Sequence, residues 1–197
     1  MSTDILIAIA VFAFVASFTP GPNNVMLLAS GVNFGFRRTL PHMAGIAIGF
    51  ILLQLCIGFG LGAILSATPA LHLALKVAGG AYLLYLAWRI ATSGGISEQG
   101  PSARPMSLIE AALFQWVNPK AWMITVTAMA AYASAERPVA SVLAVVASFA
   151  AMTLPVSTVW TGFGHALRNW LADPMRLRVF NVTMALLLVA SLWPMLR

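Results

Sequence analysis

The chain has 197 residues, of which 60% are hydrophobic and 8% charged, with a mean hydropathy of +0.90. An ordinary soluble domain is about a quarter charged, so this composition excludes a water-soluble globule and indicates an all-α integral membrane protein in a lipid bilayer. The formal charge of +6 comes from eleven Lys and Arg scattered between apolar runs, which form no basic patch and exclude a nucleic-acid partner.

About 20 apolar residues cross the hydrocarbon core as a helix, and six stretches reach that length: 4–32, 40–66, 70–92, 108–132, 139–167 and 176–196. Span 1 opens on "MSTD", with Asp4 and no basic residue, and runs past signal-peptide length, so it is expected to be a membrane span. It is interrupted by "TPGPNN", residues 19–24. Pro20 and Pro22 donate no backbone hydrogen bond, Gly21 permits dihedrals closed to other residues, and Asn23 and Asn24 are expected to cap a second half-helix through Val25 to Ser30.

Span 2 carries Gln54 near its middle and the lone Cys56, which excludes an intrachain disulfide or a CxxC redox pair. The spacings of Gly45 with Gly49 and of Gly58 with Gly62 suit close helix packing. In span 3, Lys76 is placed to snorkel, while Trp88, Trp170 and Trp193 read as interfacial anchors. His42, His72 and His165 lie near span ends and read as water-facing rather than as metal ligands. The polar segment "SGGISEQGPSARPMS", 93–107, reads as a flexible linker dividing the spans three and three.

Span 4 holds the second break, "FQWVNPKAW", 114–122, with Asn118 as N-cap and Pro119 as first helical residue. Gln115 can hydrogen-bond substrate or a neighbouring helix, and Trp116 stands four residues before Lys120, within cation–π reach. In span 5, Thr153, Pro155, Ser157 and Thr158 read as a polar, broken stretch that lines the pathway or bonds preceding carbonyls.

The halves, 1–92 and 108–197, share "GFG" at 58–60 and 162–164, Pro69 with Pro174, and Trp88 with Trp193. A three-span unit ends on the side opposite its start, so a second copy is inverted. The expected architecture is therefore six transmembrane helices as two inverted repeats, with helices 1 and 4 broken and facing one midplane site. Broken backbone inside lipid must be buried in protein or line a cavity. The N-termini of the two half-helices would carry partial positive charge toward that site and favour an anion.

Lys120 sits mid-span, where a lysine costs about 2.5 to 3.5 kcal/mol. Snorkelling fits it poorly, because the midpoint of a core of about 30 Å lies about 15 Å from either interface. Asp4, Glu98, Glu110, Glu136 and Asp173 all lie in loops or near span ends, so the expected partner of Lys120 is a substrate carboxylate. The carbonyls of Ser17 and Phe18 are expected to receive the substrate ammonium.

Arg37, Arg38, Arg89, Arg104, Arg168, Arg176 and Arg178 follow spans 1, 3 and 5, against Lys76, Arg137 and Arg197 on the other face. Positive charge stays cytoplasmic, so both termini are expected in the periplasm of a bacterial inner membrane.

"TPGPNN", "SGVNFGFRRTLPHMAGIAIG" and "FQWVNPKAW" together resemble the LysE/RhtB family of bacterial amino acid exporters, along all six spans. Within it the chain is most similar to the branch exporting cysteine and O-acetylserine. The resemblance implies proton-coupled efflux of small neutral amino acids, and it matches Pro20, Gly21, Pro22, Asn23, Asn24, Asn118, Pro119 and Lys120 to family motif positions. Relatives with a carboxylate after "PGP" differ from this chain at Asn23, which puts a proton-carrying role there in doubt. With Gln54 and Gln115 these residues make up the expected substrate-binding and translocation set. No cofactor, metal or catalytic residue is expected. A membrane-embedded enzyme lacks paired carboxylates or a His and Cys cluster in the spans, and a divalent-ion carrier lacks hard oxygen ligands at the midplane. A homodimer is compatible with the sequence.

Overall fold

The structure, a computed structural model, describes residues 2–62, 68–93 and 104–193. The end of span 2, most of the linker with Glu98, the last residues of span 6 with Arg197, and the side chain of His72 fall outside the described residues. Eight α-helices follow in chain order among those described: α1 Thr3–Phe18, α2 Pro22–Phe34, α3 Phe36–Cys56, α4 Pro69–Ala91, α5 Leu108–Phe114, α6 Pro119–Tyr132, α7 Pro138–Leu167 and α8 Pro174–Ala190. A π-helical turn, Ile57–Leu61, continues α3, and a 3-10 turn, Trp170–Ala172, precedes α8. Among the described residues, Phe36–Leu61, Leu73–Ala91 and Pro138–Leu167 are each long and apolar enough to cross a membrane, and α1 with α2, bent by 55°, are so only taken together, as a broken span or a re-entrant loop; that makes three or four candidate spans where the sequence predicts six.

Proline sets where α2, α4, α6, α7 and α8 begin, because its fixed φ is pre-organised for a first turn whose N–H would be unpaired anyway. In α2 this moves the N-cap upstream of the expected asparagines: Gly21 is the cap, Pro22 opens the helix, and Asn23 and Asn24 lie in its first turn. The expected loop between spans 1 and 2 contracts to Gly35, whose φ of 82° turns the chain directly from α2 into α3. Arg37 and Arg38 are therefore exposed on the first turn of α3.

That early start also corrects the placement of His42. It lies inside α3 on the face of Thr39 and Ile46, is 1% exposed, and neither ring nitrogen has a hydrogen-bond partner among the described residues. In α7, Pro155 does not break the helix as the sequence suggested. The helix runs on through it, held by α1, α2, α3 and α6, while Pro155 itself is exposed.

α7 is the central helix, touching α1, α2, α3 and α6, while α3 also seats α5 and α4 seats α8. One apolar cluster joins Ile9, Ala13, Phe50, Leu53, Val145 and Phe149, with the Phe50 and Phe149 rings edge to face at 5.5 Å. A second joins Leu27, Ile46, Leu83, Leu86, Phe114 and Leu188. Gly45 and Gly49 let α5 press on α3: a Cβ on Gly49 would lie 2.5 Å from Ala112 Cα. Gly58 and Gly62 form no such seam; Gly58 faces the Val142 side chain, Gly62 faces Ile57, and between them Gly60 takes φ 118° as the helix kinks. The two "GFG" motifs thus differ locally, since Gly164 instead meets Gly31 and the α2 backbone.

Candidate functional site between the two broken helices

The breaks fall at Thr19–Gly21 and Gln115–Asn118, and both second half-helices start alike, with a cap and then a proline. The residue after that proline is Asn23 in one and Lys120 in the other. Each reaches across to the opposite break. Asn23 Nδ2 donates to Gln115 Oε1 at 2.8 Å while Gln115 Nε2 returns a bond to Asn23 Oδ1 at 3.1 Å. Lys120 Nζ donates to the Thr19 carbonyl and, at 3.4 Å, to that of Pro20.

Each break also stitches itself. Asn24 Nδ2 donates to the carbonyls of Ser17 at 2.8 Å and Thr19 at 3.0 Å, closing the frayed end of α1. The Ser17 and Phe18 carbonyls, expected to receive a substrate ammonium, are thus served by Asn24, which lies within 3.5 Å of Phe18 O as well. In the second break the Trp122 indole donates to Trp116 O at 2.8 Å, and Asn118 Oδ1 accepts from Lys120 N at 3.1 Å as the expected N-cap. Lys120 turns away from Trp116 toward Thr19, where backbone oxygens offer a cation more than a ring face does.

A cavity of about 50 Å³ lies at this meeting point, lined by Ser17, Gly21, Asn23, Asn24, Asn118 and Lys120 on the polar side and by Ile46, Phe50, Ile124 and Val156 on the apolar side. It has room for about three waters. Thr153 and Ser157, one helical turn apart on α7, complete the wall. Gly21 lets the Lys120 side chain lie close, since a Cβ there would sit 2.5 Å from Lys120 Cδ and oblige that side chain to move; its φ of −172° suits any residue. No carboxylate among the described residues pairs with Lys120, and no side chain caps α2.

Of the residues expected at the site, Gly21, Asn23, Asn24, Asn118 and Lys120 line the cavity, and Gln115 is fully buried behind Asn23. Pro20 contributes its carbonyl, and Pro22 and Pro119 set the helix starts. Gln54 is elsewhere: it is fully buried on α3, outside the cavity lining, and neither amide atom has a partner among the described residues. Sequence reasoning missed the Thr19 carbonyl, which no side-chain pattern announces. It also missed a buried amide pair between α2 and α8, in which Asn33 Nδ2 donates to Asn181 Oδ1 at 2.9 Å. No group of three His, Cys, Asp or Glu able to hold a metal occurs among the described residues.

The pattern of the LysE type translocator family matches residues 14–191. The cysteine/O-acetylserine efflux protein of Escherichia coli (strain K12) is 33% identical over 191 residues, 96% of each chain. Its counterpart in Shigella sonnei (strain Ss046) is 33% identical over the same share, and that of Escherichia coli O139:H28 is 32% identical. No solved structure matches the chain.

Proposed function

The chain belongs to the LysE type translocator family, and from that premise we propose that it exports small neutral amino acids of the cysteine and O-acetylserine class across the bacterial inner membrane in exchange for protons. Membership points to a transporter with a small-molecule substrate in a lipid bilayer, not to an enzyme. The relatives are named for efflux of cysteine and O-acetylserine, which supports both the direction and the substrate class.

One observation carries the reading. Two interrupted helices meet at a cavity, polar on one side, that holds a lysine with no carboxylate partner among the described residues. In that setting Lys120 and the uncapped start of α2 receive the substrate carboxylate. The packing supports an inverted repeat: α1 lies on α7 as α5 lies on α3, while α3 meets α7 and α4 meets α8. Swapping the halves maps these contacts onto one another, whereas α2 packs broadly on α7 and also touches α8, and its counterpart α6 meets α3 only slightly, so the likeness lies in the other helices rather than in the two broken half-helices.

Counterflow in proteoliposomes tests this function. Labelled O-acetylserine or cysteine should accumulate against a preloaded amino acid and respond to an imposed proton gradient. Absence of exchange with any small neutral amino acid would remove the proposal.

A further inference from the structure

We propose that the Lys120 ammonium is a built-in stand-in for the ammonium of the substrate. It occupies the subsite formed by the Thr19 and Pro20 carbonyls, and an arriving amino acid exchanges with it. The substrate carboxylate draws Lys120 off while its α-ammonium takes the vacated oxygens. This inference rests on the reading of the site as an amino acid carrier.

The geometry favours exchange over simple addition. Asn24 already serves Ser17 and shares Thr19, so the break-1 oxygens left for a cation are those that Lys120 holds. In this path the lysine passes against residue 21, where a Cβ would be 3.1 Å from Nζ itself. A zwitterion leaves every charge matched, with Lys120 against the carboxylate and the α-ammonium against the carbonyls. An amine alone would place a second cation beside Lys120, and a carboxylate alone would draw Lys120 off, leaving Thr19 with Asn24 as its donor and Pro20 with none. Exchange therefore makes both charged groups obligatory. It also removes a strut between the two breaks, leaving the Asn23–Gln115 pair to bridge them, which ties loading to freedom of movement.

The test is equilibrium binding to the purified full chain at mildly acidic pH, where the O-to-N acyl shift is slow, using O-acetylserine, N-acetylserine and ethylammonium. The wild type should bind O-acetylserine at least tenfold more tightly than either other probe. Lys120→Ala, which empties the ammonium subsite, should bind ethylammonium at least tenfold more tightly than the wild type does and lose its preference for the amino acid. If the wild type binds O-acetylserine but Lys120→Ala gains nothing for ethylammonium, exchange is wrong and the transport reading stands. If the wild type binds no amino acid, both fail. Should Lys120→Ala not fold, Lys120→Ser, whose short side chain also empties the subsite, replaces it with the same expected gain, and equal binding of the N- and O-acetyl isomers to the wild type overturns exchange without any variant.

Discussion

Asn23 and Gln115, 92 positions apart, exchange two amide hydrogen bonds, one at 2.8 Å and one at 3.1 Å, and so tie the two helix breaks to each other. Gln115 is fully buried and its amide also donates to Ala111 O at 2.9 Å, so its orientation is fixed from within its own helix. Removing Asn23 leaves a buried oxygen without a donor, at a cost of about 1 to 3 kcal/mol. Asn23→Leu should therefore lower stability in detergent, Gln115→Met likewise, and the double variant should lose clearly less than the sum. Strict additivity in that cycle, read by denaturant unfolding, would show that the pair is not coupled.

Gly21→Ala tests the close approach at the site. Residue 21 has extended backbone that alanine adopts freely, so any defect must come from the Cβ pressing on the Lys120 side chain at 2.5 Å. The expected outcome is a protein that inserts normally with transport reduced at least tenfold, since displacing the amine by about 1 Å disturbs a positioned charge. Normal flux in this variant would mean that Lys120 need not reach the Thr19 carbonyl.

Much of this arrangement was legible in the sequence. Proline marks a helix start whatever surrounds it, so the break at Pro119 with Asn118 as its cap was readable, and a lysine far from any carboxylate stood out by type alone. The cap at Gly21 was misread because Asn23 and Asn24 have strong capping preferences, yet Pro22 outranks them for the first helical position. The partners of Lys120 and Asn24 were not legible, because both bond to backbone oxygens and a carbonyl carries no sequence signal. His42 was misplaced for a different reason: a single glycine at positive φ replaced an expected loop and drew the next residues into a buried helix face.

Orientation follows from the arginines. Labels attached after residue 100 should be reached from the cytoplasm, and labels at residue 136 or at the C-terminus from the periplasm, because seven Lys and Arg flank spans 1, 3 and 5 on one face against three on the other. Cysteine accessibility to an impermeant reagent reads this directly. The reverse pattern would overturn the assigned orientation while leaving the repeat standing.

Substrate charge is constrained by what the cavity lacks. A cationic amino acid would bring a second positive group beside Lys120, and no Asp or Glu is among the lining residues to receive it. Lysine and arginine should compete with labelled substrate in vesicles at least tenfold less well than serine, cysteine, homoserine or O-acetylserine. Better competition by lysine or arginine would show the charge argument to be wrong.

The most direct measurement on the central claim compares wild type and Lys120→Met in proteoliposome counterflow, with insertion and folding checked by size exclusion and thermal unfolding. Methionine keeps most of the side-chain volume and removes the ammonium that now joins the two breaks. The account predicts exchange of labelled O-acetylserine by the wild type and flux at background in a folded Lys120→Met, with Lys120→Arg also impaired because a planar fork does not replace a compact ammonium. Wild-type flux in Lys120→Met would contradict it.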